Sequence, residues 1–131
     1  VAPPDWTLFV GFSVWCVGFA VEVIADRQKS AFKADPNNDG RFIQSGLWAW
    51  SRHPNYFGEI LLWAGVALMA VPALLGNQIF TLVAPLFVIV QLTLISGVPL
   101  LERRADKIWG DEAAYQKYKR QTPALMLWPP R

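Results

Sequence analysis

An all-α fold embedded in a membrane, with about three transmembrane helices and a cytoplasmic amphipathic helix after them, is what this 131-residue sequence predicts. Three observations carry that expectation. Apolar residues make up 53% and charged residues only 17%, against about a quarter charged in ordinary soluble domains. Between Glu59 and Glu102 lie 42 residues without one Asp, Glu, Lys or Arg. All 12 basic residues fall in two blocks, 27–52 and 103–131.

The same composition excludes several function classes. One Cys makes no internal disulfide, and one His with one Cys builds no zinc centre, so no metal site is expected. A net charge of +2 is too small to argue for nucleic acid. The heavy aromatic load, 7 Trp and 8 Phe, does not suit a disordered tail.

The first span is expected over Trp6–Ala25, interrupted only by Glu22, with Trp6 as an interfacial anchor. The uncharged run would make a helix of about 63 Å, roughly twice a bilayer's hydrocarbon core, so it must fold back. Pro72 and Gly76-Asn77-Gln78 supply the turn, giving spans near Tyr56–Leu75 and Ile79–Leu101. Residues 34–46 are turn-formers and read as a loop. Asp111–Arg120 is rich in helix formers, acidic early and basic late, which suits the helix dipole. It reads as a surface helix. The positive-inside rule places the 26–55 loop and the tail in the cytoplasm. The chain opens Val-Ala-Pro-Pro, without Met or a basic n-region, and is read as one domain, 1–131, cut from the C-terminal part of a longer protein.

No two of the glycines at 11, 18, 40, 46, 58, 65, 76, 97 and 110 are two or five apart, so neither a Rossmann fingerprint nor a P-loop is present. Gly11 with Gly18, and Gly58 with Gly65, are spaced by seven and share a helix face, which predicts close helix packing.

The chemistry lies in Gly46-Leu-Trp-Ala-Trp-Ser-Arg-His-Pro-Asn-Tyr-Phe-Gly-Glu59. Pro54 suits the first turn of a helix, which sets Arg52 and His53 at that helix's positive end, a place for an anion. Asn55 and Glu59 are four apart, and Tyr56, Glu59 and Trp63 share a stripe. An interfacial belt would also use Arg, His, Tyr and Trp, but has no use for Glu59 a turn inside the span. On the first helix Glu22, Asp26, Lys29 and Lys33 step by four, three and four. They are either surface ion pairs or a polar wall facing Asn55 and Glu59 across a cleft. Cations at the mouth and carboxylates deeper would suit a dinucleotide or an adenosyl cofactor.

Ala25-Asp-Arg-Gln-Lys with Phe32-Lys33, the Gly-Leu-Trp-x-x-Ser-Arg-His-Pro-Asn-Tyr-Phe-Gly-Glu run, and the tail Leu101-Glu-Arg-Arg-Ala-Asp, Gly110-Asp-Glu, Tyr115-x-x-Tyr118 and Pro123 resemble the C-terminal domain of the steroid 5-alpha-reductase family, closest to bacterial members of unknown substrate. The resemblance covers residues 22 to 129. It implies an integral membrane enzyme, in the bacterial inner membrane, that reduces a carbon–carbon double bond of a lipophilic steroid- or isoprenoid-like substrate with NADPH. It also implies a cofactor cavity open to the cytoplasm, among membrane lipids. By position, the cofactor-binding residues it implies are Asp26, Lys29, Lys33, Arg41, Arg52, His53, Asn55, Tyr56, Glu59, Glu102, Arg103 and Asp106. Glu22 stands where some steroid-reducing members have Asn.

The family's proton donor and most of its substrate pocket lie on N-terminal helices outside this sequence, so the chain is read as the cofactor-binding half, with no catalytic residue assigned. Arg-His-Pro-x-Tyr is shared with isoprenylcysteine and phospholipid methyltransferases, so an S-adenosylmethionine-dependent membrane methyltransferase is the alternative. A non-enzymatic anchor is a third reading, one that leaves Glu22 and Glu59 unexplained.

Overall fold

The computed structural model describes residues 5–70, 83–95 and 97–130, and every regular element among them is helical. Helix α1, Asp5–Ala34, is a single run of 30 residues. At ~1.5 Å per residue it is about 45 Å long, against about 30 Å of bilayer hydrocarbon. It therefore continues past the expected span end at Ala25 and carries Asp26, Lys29 and Lys33 outward on one rigid rod. Asp35-Pro36 stops it, because a residue before proline is pushed out of helical geometry. The Asp35 side chain then accepts from the Asn37 amide at 3.0 Å and caps a short 3₁₀ turn, Pro36–Asn38.

After the loop, a second 3₁₀ turn at Gly46–Ala49 folds back on α1. The Leu47 amide donates to Gln28 Oε1 at 2.9 Å, and the buried Trp48 indole N–H donates to the Ala25 carbonyl at 3.1 Å. Gly46 needs its positive φ of 61° here, and a Cβ would strike the Gln28 side chain.

Helix α2, Pro54–Ala70, begins at the proline that the sequence places in its first turn. It packs antiparallel along α1, and the two glycine pairs decide how closely. A Cβ on Gly58 would lie 2.6 Å from the Glu22 amide nitrogen and 2.7 Å from the Gly18 carbonyl oxygen. One on Gly11 would lie 2.8 Å from the Gly65 carbonyl oxygen. Backbone meets backbone at both levels, as the spacing of seven predicts.

The expected turn near Pro72 and Gly76 lies outside the described residues. Helix α3, Val83–Val90, passes into a π turn at Gln91–Ile95, and the Gly97 amide reaches back to the Gln91 carbonyl at 3.3 Å. Helix α4, Val98–Trp109, follows with Pro99 in its first turn, and α5, Ala113–Gln121, sits where the surface helix is expected. The sequence reading ended the third span at Leu101. Instead the chain breaks at Gly97 and resumes as a helix to Trp109, because Pro99 gives up an N–H that a first helical turn leaves unbonded anyway.

Trp6–Ala34 and Val83–Trp109 are both long and apolar enough to cross a membrane. Their outer surfaces are apolar, with Phe9 76% and Leu94 73% exposed. The interior is concentrated at the other end of α1, where Ala25, Trp48, Ser51, His53, Pro54 and Tyr115 are buried.

Candidate functional site

Around that buried end the loop, α1, α4 and α5 enclose a cleft of about 390 Å³, within the range of roughly 300–1,000 Å³ seen for ligand sites. Lys29 and Lys33 enter it from α1, Arg41 from the loop, Arg52 and His53 from the segment before α2, and Glu102 and Arg104 from α4. Phe42, Trp48, Trp109, Tyr115 and Tyr118 provide its aromatic walls.

The charges are unbalanced. Glu102 is the one carboxylate among the lining residues. Its Oε1 lies 2.6 Å from Arg52 Nη1 and 3.2 Å from His53 Nε2, and Lys119 Nζ stands 4.0 Å from Oε2. Lys29 lies 5.2 Å from the centre of the Trp48 ring, a cation over an aromatic face. Among the described residues, Lys29, Lys33, Arg41 and Arg104 form no ion pair with a carboxylate. Asp106 stands behind the lining, held by Lys119 at 2.7 Å and by the Tyr115 hydroxyl, which donates at 2.9 Å.

The aromatic wall is built from three separate segments. Phe42 of the loop sits against Trp109, Tyr115 and Tyr118, ring centres 5.3 to 5.8 Å away. The Trp109 indole donates to the Gly40 carbonyl at 2.8 Å, closing the loop over α4. Burial pushes the Tyr118 phenol well above its ordinary range. Burial raises that of Tyr115 too, and its bond to Asp106 adds to the effect. Both remain neutral donors at any physiological pH.

The expected site residues divide into two groups. Lys29, Lys33, Arg41, Arg52, His53 and Glu102 share the cleft. Asp26, Asn55, Tyr56 and Glu59 lie beyond it, along the line where α1 meets α2. There Asn55 Nδ2 donates to Asp26 Oδ1 at 3.2 Å. Thus the two polar walls touch, where the sequence reading set a cleft between them. The reason is the glycine packing, which leaves no room between the helices at Gly18 and Gly58. His53 links the groups, its ring stacked 6.0 Å from that of Tyr56. On α4 the exposed Arg103 lies outside the lining and its neighbour Arg104 lies within it. The sequence reading did not select Arg104, Phe42, Trp48, Trp109 or the two tail tyrosines as site residues. Tyr115-x-x-Tyr118, one helical turn apart, was the available signal for the last two.

The model of the family described as "Protein of unknown function (DUF1295)" matches residues 3–122, and the chain belongs to that family. A steroid 5-alpha-reductase of Gossypium hirsutum is 34% identical over 64 residues, covering 49% of this chain and 25% of the relative. The human 3-oxo-5-alpha-steroid 4-dehydrogenase 1 is 28% identical over 68 residues, covering 49% and 26%. A probable O-methyltransferase of Ustilaginoidea virens is 32% identical over 72 residues, covering 55% and 25%. The resemblance to steroid 5-alpha-reductases is therefore found in curated relatives, of whose length the chain spans about a quarter. No solved structure matches the chain.

Proposed function

We propose that this member of the DUF1295 family is the cofactor-binding part of a membrane reductase. In this reading it uses NADPH to reduce a carbon–carbon double bond of a lipophilic, steroid- or isoprenoid-like substrate. The charge of the cleft carries the proposal. Lys29, Lys33, Arg41, Arg52 and Arg104 face one carboxylate, Glu102, so the site asks for a ligand with several negative charges. A dinucleotide's pyrophosphate supplies two, and a 2′-phosphate adds about 1.5 to 2 more at neutral pH. S-adenosylmethionine, with its sulfonium and ammonium groups, carries a net positive charge and is repelled by the same residues. The aromatic walls suit a flat base and keep water from the deeper charge contacts, those of the largely buried Arg52.

NADPH, when bound, supplies the hydride. The chain's own residues hold and orient it. The two lysines of α1 and Arg41 take phosphate oxygens at the mouth, and Arg52 does so deeper, beside Glu102. Beyond His53, Asn55 and Glu59 offer the donor and acceptor atoms a carboxamide needs, with Tyr56 and Asp26 beside them. Arg103 and Asp106 support the mouth from α4. The positive-inside rule supports a cytoplasmic position for this end of the molecule, and the resemblance to bacterial members supports a bacterial inner membrane as its location. A cysteine at Asn38 should then react with an impermeant thiol reagent only from that side, once Cys16 is replaced.

The probable O-methyltransferase among the relatives supports a second reading, methyl transfer from S-adenosylmethionine. One titration separates the two. Trp48 and Trp109 line the cleft and report binding by fluorescence. Purified protein should bind NADPH more tightly than NADH and show no saturable response to S-adenosylmethionine. If S-adenosylmethionine binds and NADPH does not, the methyltransferase reading replaces this one.

A further inference from the structure

The structure assigns a positioning role to Ser51, a residue outside the cleft lining. With the tail segment 122–128 it forms a strap that aims Arg52 at the ligand. The inference rests on the reading of the cleft as a dinucleotide site, and it deepens that reading by naming what holds one of its largely buried cations, Arg52.

Ser51 is fully buried, which is unusual for a serine. Both capacities of its hydroxyl are used. Oγ donates to the Leu125 carbonyl at 2.8 Å and accepts from the His53 amide at 3.1 Å. The bonds on either side continue the same seam. The Trp128 amide donates to the Trp50 carbonyl at 3.1 Å, and the Arg52 amide to the Pro123 carbonyl at 2.9 Å. Arg52 Nε then donates to the Thr122 carbonyl at 3.2 Å. Five hydrogen bonds thus meet on the residues just before α2.

What orients the Arg52 guanidinium follows from their geometry. Nη1 is close to Glu102, at 2.6 Å, yet it is buried and makes no directed hydrogen bond. The charge contact to Glu102 is strong but not directional. The directed bond is Nε to Thr122, and the strap supplies it. Without the Ser51 hydroxyl, the Leu125 carbonyl and the His53 amide lose their partner in a buried place, which is costly for each group. The strap shifts, and the guanidinium, still beside Glu102, loses the directed bond that fixes its angle to the cleft.

Full-chain wild type, Ser51→Ala, Arg52→Ala and the double variant are titrated with NADPH. Ser51→Ala should weaken binding about tenfold, the value of one directed bond to a charged group. In the Arg52→Ala background the same change should have no further effect, because Ser51 acts through Arg52. A merely structural serine would weaken both backgrounds alike. Equal affinity of Ser51→Ala and wild type overturns the inference, and so does full additivity. If Ser51→Ala does not fold, Trp128→Pro tests the same point, since it deletes one strap donor at an exposed residue. Amide hydrogen exchange reads the strap without any ligand. Residues 50–53 should exchange faster in Ser51→Ala and Trp128→Pro while α1 and α2 stay protected, and unchanged exchange overturns the strap. If the variants show this exchange pattern and the wild type fails to bind NADPH, the cofactor proposal alone is sunk.

Discussion

The Tyr118 hydroxyl donates to the main-chain carbonyl of Trp48 at 2.6 Å, across 70 residues of sequence. That bond ties α5 to the 3₁₀ turn, and Trp48 in turn is nailed to α1 through Ala25. Three segments that share no regular pairing are joined through one tryptophan.

Tyr118→Phe should therefore destabilise the fold without emptying the core. The ring is kept, but the Trp48 carbonyl is left without its partner, which costs about 1–2 kcal/mol. Denaturant unfolding in detergent measures it. An unchanged midpoint would show that water replaces the phenol at no cost.

An alkaline titration should separate the tail tyrosines from ordinary ones. Both fold-state values are raised, by burial first and at Tyr115 by Asp106 as well. The neutral phenol is the form the fold favours. The stabilisation is then complete below the unfolded value of about 10 and lost as pH rises beyond it. Thermal stability should stay level on this account from neutrality to about pH 9 and fall above about pH 10. The phenolate absorbance of Tyr115 and Tyr118 should emerge only with unfolding. A normal titration in folded protein would contradict their burial.

The cleft cations should not be equal. Lys33 and Arg41 are exposed and Arg52 is largely buried. Solvent and salt screen the first two, so Lys33→Ala and Arg41→Ala should each weaken NADPH a few-fold, by about 1 kcal/mol or less. Arg52→Ala should cost roughly ten- to a hundredfold. Raising the ionic strength should shrink the losses at Lys33 and Arg41 far more than the loss at Arg52. Equal losses at all three, in any salt, would place the phosphates elsewhere.

Glu59→Gln tests the membrane-side end of the site. It keeps the shape and exchanges one acceptor oxygen for an NH₂ donor. Melting should change little, while NADPH affinity or turnover falls sharply. Full activity in both Glu59→Gln and Glu59→Leu would remove Glu59 from the site.

Much of the helical frame is written locally. The apolar run of α1, the Pro54 start of α2, the loop of turn-formers and the charge polarity of α5 are each visible in a few neighbouring residues. The cationic half of the cleft was legible too, because Lys29 and Lys33 share a helix face and Arg52 and His53 abut Pro54. Other features depend on distances that no periodicity encodes. The choice of Arg104 over Arg103 follows from the rotation of α4, reset at the Gly97 break. The meeting of Phe42 with Trp109, Tyr115 and Tyr118 joins a loop to two helices far along the chain. Asp26 and Asn55 were paired as facing walls, but their contact depends on how near the glycines let two backbones come.

The backbone contacts at Gly11–Gly65 and Gly18–Gly58 make α1 and α2 behave as one strut. Neither helix can slide or roll past the other without a carbonyl striking an amide, and interiors that close deform poorly. The strut fixes the depth of Lys29 and Lys33 relative to Arg52, since all three hang from its end. The Gly40–Gly46 stretch, whose two ends both sit at positive φ, does not belong to that strut. It is held to α4 and α5 by the Phe42 ring and by the Trp109 bond to Gly40, so one wall of the cleft is set by backbone against backbone and the other by side chains alone.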